Sequence, residues 1–197
     1  MKKWLLPLIL VAAIAFWAYN MSVGFFNSAT NLKETATSQW GNVESSYQRR
    51  ADLIPNLVAT VKGYAAHEKE TLEGVIKARA EATKTTINAG DLTPEKMAAF
   101  QKAQSGLAGA LSKLMVVVER YPDLKADKGF LELQSQLEGT ENRINVERNR
   151  FNETVKPYNK HIKTFPNNFF ASWFKFGEMA YFKGKAGSDV APVVDFK

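Results

Sequence analysis

MAAFQKAQSGLAGALSKLMVVVERY, residues 97–121, is the stretch that decides the fold. Met97, Phe100, Gln104, Leu107, Leu111, Leu114, Val118 and Tyr121 follow one another at gaps of three and four without a lapse. A strand would alternate every second residue, whereas this spacing lines one face of an α-helix and makes a bundle seam. Thr93 caps its start with Pro94 at the first helical position, and Tyr121-Pro122 stops it.

The same spacing continues on both sides. Upstream, Leu32, Ala36, Trp40, Val43, Tyr47, Ala51 and Ile54 form one stripe, and Val58, Val61, Ala65, Leu72, Val75, Ile76 and Arg79 a second. Pro55 removes a backbone donor and disfavours helix at Ile54, so a break or kink is expected between them. The second stripe is expected to end near Ala89-Gly90-Asp91. Downstream, Asp127 is the expected cap for a stripe of Phe130, Leu133, Leu137, Glu141, Ile144, Arg148, Phe151 and Val155, with Pro157 expected to end or bend the helix. Short connections make consecutive helices antiparallel. The expected fold is all-α: an N-terminal transmembrane helix plus an up-and-down bundle of three to four long antiparallel helices. Val190 to Phe196 is the one candidate strand.

Trp4 to Tyr19 carries no charge, and with Asn20 to Phe26 gives 23 residues, about 35 Å of helix and enough to span a bilayer. Pro7 sits in the first turn, where its missing N–H costs little. Trp4 at one end and Trp17, Tyr19, Phe25 and Phe26 at the other are placed as interfacial belts. A cleaved signal peptide would use Ala13-Ile14-Ala15 as its processing site, but Phe16, Trp17 and Tyr19 would then head a soluble chain. The expected division is an anchor at 1–26, a bundle domain at 27–164 and an aromatic C-terminal segment at 165–197. Lys2 and Lys3 before the span predict the N-terminus in the cytoplasm and the domain outside.

Gly and Pro are sparse (12 and 7 of 197 residues), which leaves long stretches free for helix. The absence of cysteine excludes disulfides, thiolate catalysis and Cys-based metal sites. Of the net charge of +6, an excess of +4 falls between Lys156 and Lys197, where seven lysines face three acids. Such an excess suits anionic headgroups or a solubilising surface, and no nucleic-acid motif accompanies it.

Long blocks carry a family resemblance. They are WGNVESSYQRRADLIPNLVATVKGYAAHEKETLEGVIKARA at 40–80, then YPDLKAD, FLELQSQLEGTENRI, RNRFN and VKPYN within 121–165, and the Phe165-Pro166-Asn167-Asn168 turn with its aromatic sequel. The chain resembles the bacterial LemA family over essentially its whole length. That resemblance implies a single-span membrane protein with a helical-bundle domain and no agreed enzymatic activity. It also points to envelope stress, membrane proteases and, in one branch, magnetosome membrane formation.

Few residues invite a chemical reading. His67-Glu68 opens a zinc-protease helix motif, but the second histidine would stand at Thr71, and His161 is remote in sequence; no metal site is expected. Gly106 and Gly109, beside Ala103, Ala108 and Ala110, are read as small residues where helices crowd, or as a self-association face. A dense set of acids and arginines includes Arg79, Glu141 and Arg148 on otherwise apolar stripes. A buried ion-pair network fixing helix register is the first reading, and a pocket for an anionic group the second. Phe165 to Phe182 holds eight aromatics in 18 residues. They either cap the bundle core or lay Phe169, Phe170, Trp173 and Phe174 against a bilayer or partner.

Without catalytic residues or a cofactor site, the expected role is a non-enzymatic, self-associating, membrane-anchored scaffold or adaptor of the bacterial inner membrane. The alternatives are a lipid-binding or membrane-shaping module and an accessory subunit regulating a membrane protease. Expected partners are membrane lipids, a second copy and an envelope protein such as that protease, with no nucleic acid.

Overall fold

The computed structural model describes residues 5–184, and every regular element within them is a helix. These are α1 (Leu5–Tyr64), α2 (Lys69–Lys84), α3 (Pro94–Val118), α4 (Pro122–Ala126), α5 (Lys128–Lys163) and α6 (Asn167–Trp173). The candidate strand at Val190 to Phe196 lies outside the described residues.

Membrane anchor and first bundle helix are one element. At 1.5 Å per residue the 60 residues of α1 extend about 90 Å. Its N-terminal part is long and apolar enough to cross a membrane, and it stands clear of the bundle with Leu8, Ile9, Val11, Ile14, Phe16 and Trp17 exposed.

The break expected at Pro55 and the end expected at Pro157 are corrected. Pro55 does not break α1, and Pro157 does not end α5, which runs on to Lys163. A helical proline orphans the carbonyl four residues before it. At Pro55 that carbonyl belongs to Ala51, which is buried, and the Arg79 Nε–H donates to it at 2.7 Å from α2. At Pro157 the corresponding residue, Glu153, lies on the exposed face, where water serves. The break falls instead at Ala65 to Glu68, and α2 closes at Lys84, before the expected Ala89.

The other boundaries follow the expected caps. Thr93 accepts from the Lys96 N–H with Pro94 at the first position of α3, and Asp127 accepts from the Phe130 N–H at 2.8 Å to start α5. Partners along α1 and α5 run in opposite directions: Tyr64 meets Asp127, Arg50 meets Glu141, Gln39 meets Glu147 and Phe25 meets His161. Glu68 with Arg120 and Ala82 with Gln104 show the same for α2 and α3. The domain is thus an up-and-down bundle in which α1 packs on α5, α2 on α3 and α1 on α2.

The apolar stripes supply two core clusters. The one nearer the anchor gathers Trp40, Val43, Phe100, Phe151, Val155, Tyr158 and Phe182, and the distal one Ile54, Leu57, Val61, Leu72, Val75, Leu107, Leu114 and Phe130. Ile76 departs from its stripe and is exposed. Gly106 and Gly109 do not sit where helices crowd; both are exposed, with open space where a Cβ would stand.

Candidate functional site

A polar layer separates the two cores. Arg50 on α1 is 4% exposed. Its Nη1 pairs with Glu141 of α5 at 2.7 Å, and its Nη2 donates to the Gln104 side-chain oxygen of α3, also at 2.7 Å. Gln104 in turn donates to the Ala82 carbonyl of α2, so one arginine and one glutamine tie four helices. The guanidinium also lies 5.1 Å above the Tyr47 ring, while its Nε is buried without a hydrogen-bond partner. Burial pushes the Tyr47 phenol above its ordinary pKa, opposed by Arg148 and Arg50 and reinforced by Glu141, so four charged or ionisable groups converge here.

Of the three residues read as one network from sequence, Glu141 and Arg148 face the same cleft beside Tyr47, and Arg79 stands apart from both. Arg79 serves the Ala51 carbonyl. Glu141 is paired with Arg50, a residue of the polar set not singled out, and is 49% exposed rather than buried. Arg148 lies over the Phe182 ring at 4.9 Å and donates to the Lys183 carbonyl. The buried carboxylate of α5 is Glu147, one residue away, which accepts from Gln39 at 2.7 Å and pairs with Arg150 at 3.2 Å.

Above Arg50 a cleft opens between α3 and α5. One half, about 330 Å³, is lined by Tyr47, Arg50, Gln101, Gln104, Ser105 and Arg148 among others, with Lys183 and Gly184 at its edge. A second half of about 340 Å³ shares Arg50, Ala108 and Glu141 and is bounded by Leu111, Met115 and Leu137.

The aromatic segment packs on the bundle along one side and is exposed along the other. After the cis Phe165-Pro166 bond, α6 sets Phe170 against Phe25, with ring centroids 5.8 Å apart, and Phe174 against Phe25 and Phe26. Phe25 is itself buried, stacked on His161 at 5.2 Å, so it belongs to the base of the bundle rather than to the interfacial belt assigned from sequence. The opposite side of the segment is open: Phe165 is 75%, Phe169 66% and Trp173 82% exposed. Phe170 and Phe174, on the packed side, fix the segment at Phe25 and Phe26, where the apolar part of α1 enters the bundle.

Beyond α6 the chain returns along α5 in extended form. Asn159 donates to the Met179 carbonyl and accepts from its N–H, at 2.8 and 3.0 Å, and Asn152 does the same for Phe182 at 3.0 and 2.9 Å. Seven helical residues rise about 10.5 Å and three extended residues about 10 Å, so the two amides meet the tail in register. The Ala180 N–H donates to the Leu92 carbonyl, and the Tyr158 hydroxyl to that of Gly177. Phe182 is thereby held 5.8 Å from Trp40. Both asparagines stand in the RNRFN and VKPYN motifs, but no role is readable for them until the extended partner is seen.

Comparison with known proteins agrees with the family resemblance read from the sequence. The model of the LemA family matches residues 39–196. Magnetosome protein MamQ of Magnetospirillum gryphiswaldense is 28% identical over 186 residues, covering 86% of this chain and 68% of that protein. Magnetosome protein MamQ 2 of Paramagnetospirillum magneticum is 26% identical over 188 residues, with the same coverage of 86% and 68%. Protein LemA of Metamycoplasma hominis is 24% identical over 176 residues, covering 89% of this chain and 75% of its own length.

Proposed function

The chain belongs to the LemA family, and from that premise we propose a non-enzymatic, membrane-anchored scaffold of the bacterial envelope that touches the bilayer twice. The first contact is the apolar part of α1. The second is the ridge of Phe165, Phe169 and Trp173. The observation that carries this reading is the exposure of those three rings on the segment whose Phe170 and Phe174 pack on Phe25 and Phe26, at the level where α1 leaves its apolar stretch.

The physical argument is one of cost. Large aromatics exposed to water give up about 1.5–3 kcal/mol each relative to full burial, and a contiguous apolar ridge marks a binding surface. At a lipid interface the rings recover part of this, and Lys175, two residues beyond Trp173, stands near to meet anionic headgroups. With two contacts the bundle is steadied against the membrane, and its sides face the compartment beyond. In this reading the N-terminus is cytoplasmic, the domain is extracytoplasmic in the inner membrane, and the bundle's sides receive protein partners, a second copy among them. No feature of the described residues favours an accessory role on a membrane protease over this one.

A chain beginning at Asn20, which keeps Phe25 but lacks most of the span, should float with anionic liposomes. Phe165→Ala, Phe169→Ala and Trp173→Ala together should abolish flotation with the helical circular dichroism unchanged. Undiminished flotation of that triple variant would remove the second contact from the account.

A further inference from the structure

We propose that the polar half of the cleft between α3 and α5 binds a small dianionic oxyanion, a phosphomonoester or a dicarboxylate, independently of any contact with lipid. The site is set by Arg50, Arg148 and Lys183 around Tyr47, Gln101 and Ser105. Three cations face one carboxylate, Glu141, which leaves two positive charges over. Among the described residues, neither Arg148 nor Lys183 pairs with a carboxylate: Arg148 is engaged by a backbone carbonyl and a ring, both of which leave its charge uncompensated. At about 330 Å³ the half-cleft lies at the lower end of the range for small-molecule sites.

The lining also has the right division of labour. Arg50 is fixed from two sides by Glu141 and Gln104, so its charge is held in place before any ligand arrives, and such fixed charges bind without the cost of ordering. Arg148 is half-buried against Phe182, and its planar guanidinium suits an oxyanion with two oxygens in one plane. Ser105, Gln101 and the Tyr47 hydroxyl provide neutral donors around them. Cation and donor are thus gathered from α1, α3, α5 and the returning tail. Ligand binding would clasp the tail to α3, and through it the Asn152 and Asn159 contacts.

The position excludes one source. Arg50 lies 24 residues beyond Phe26 on α1, about 36 Å from the membrane end of the bundle, so a headgroup in the bilayer cannot reach the site.

The test is isothermal titration of the full-length protein in nanodiscs of neutral lipid with hydrogen phosphate, glycerol phosphate and succinate, against sodium chloride at matched ionic strength. At least one dianion should bind with one site per chain and raise the melting temperature, while chloride does neither. Lys183→Gln, on an exposed side chain, and Arg148→Gln should each weaken binding about tenfold, the loss of one charge-assisted hydrogen bond. Binding of glycerol phosphate alone selects a phosphomonoester, and of succinate alone a dicarboxylate. No saturable binding by any of the three would overturn the proposal, as would binding unaltered in Lys183→Gln.

Discussion

Arg79 reaches from α2 to a carbonyl on α1 that has no helical donor because Pro55 lies four residues beyond it. A charged donor on a buried acceptor contributes about 1.5–3 kcal/mol, and its removal also strands the acceptor. Arg79→Met, which keeps the aliphatic stem, should therefore destabilise the bundle by about 2 kcal/mol in urea unfolding. The same change combined with Pro55→Ala should cost much less, since the helix then supplies its own N–H; equal losses in the two backgrounds would disprove the pairing. Sequence placed Arg79 on the right face but could not supply this role. Its partner is fixed by how α1 and α2 pack, and the rule that proline ends a helix holds only where nothing else satisfies the carbonyl. A similar limit applies on α5. Glu147 and Arg148 stand three and four residues after Ile144, both spacings fit a helical stripe, and only packing against Gln39 shows that the acid is the buried one.

Whole helices were more legible than their junctions. The stripes of Met97 to Val118 and of Phe130 to Val155 read directly because each buries one face along its length, and Thr93 and Asp127 announce their starts in chemistry that sequence displays. Neither the passage of α1 through Pro55 nor the returning tail had such a signature. The tail is extended and pairs with side chains instead of another strand, so it shows no period of its own. Its clamp can be tested at the same scale. Asn152→Ala and Asn159→Ala should raise hydrogen exchange at the Phe182 and Met179 amides, respectively, by at least about tenfold, the equivalent of one hydrogen bond. Thr154→Ala, which removes only a local bond to the Phe151 carbonyl, should leave both amides protected. Unchanged exchange in the asparagine variants would mean that the apolar contacts of Phe182 hold the tail alone.

At the scale of the molecule, one helix serves as anchor and as the spine of the bundle, so any tilt of the span is carried into the domain. About 58 Å of α1 lies between Phe25 and Tyr64, a long lever for a single transmembrane segment. A ridge of exposed aromatics at the base of that lever, set by α6 against Phe25, would restrict its motion relative to the bilayer. This is the central claim, and the absence of cysteine from the chain allows it to be tested at chosen points. The most direct measurement is membrane depth from the collision rates of single nitroxide labels with oxygen and with a nickel chelate, in full-length protein reconstituted into lipid vesicles. Labels would be placed at Phe169→Cys, Trp173→Cys and, as a distal control on α5, Gln136→Cys. The account predicts that labels at 169 and 173 lie in the headgroup region or below it, sheltered from nickel, while the label at 136 is freely reached by it. Labels at 169 and 173 as open to nickel as the one at 136 would contradict it.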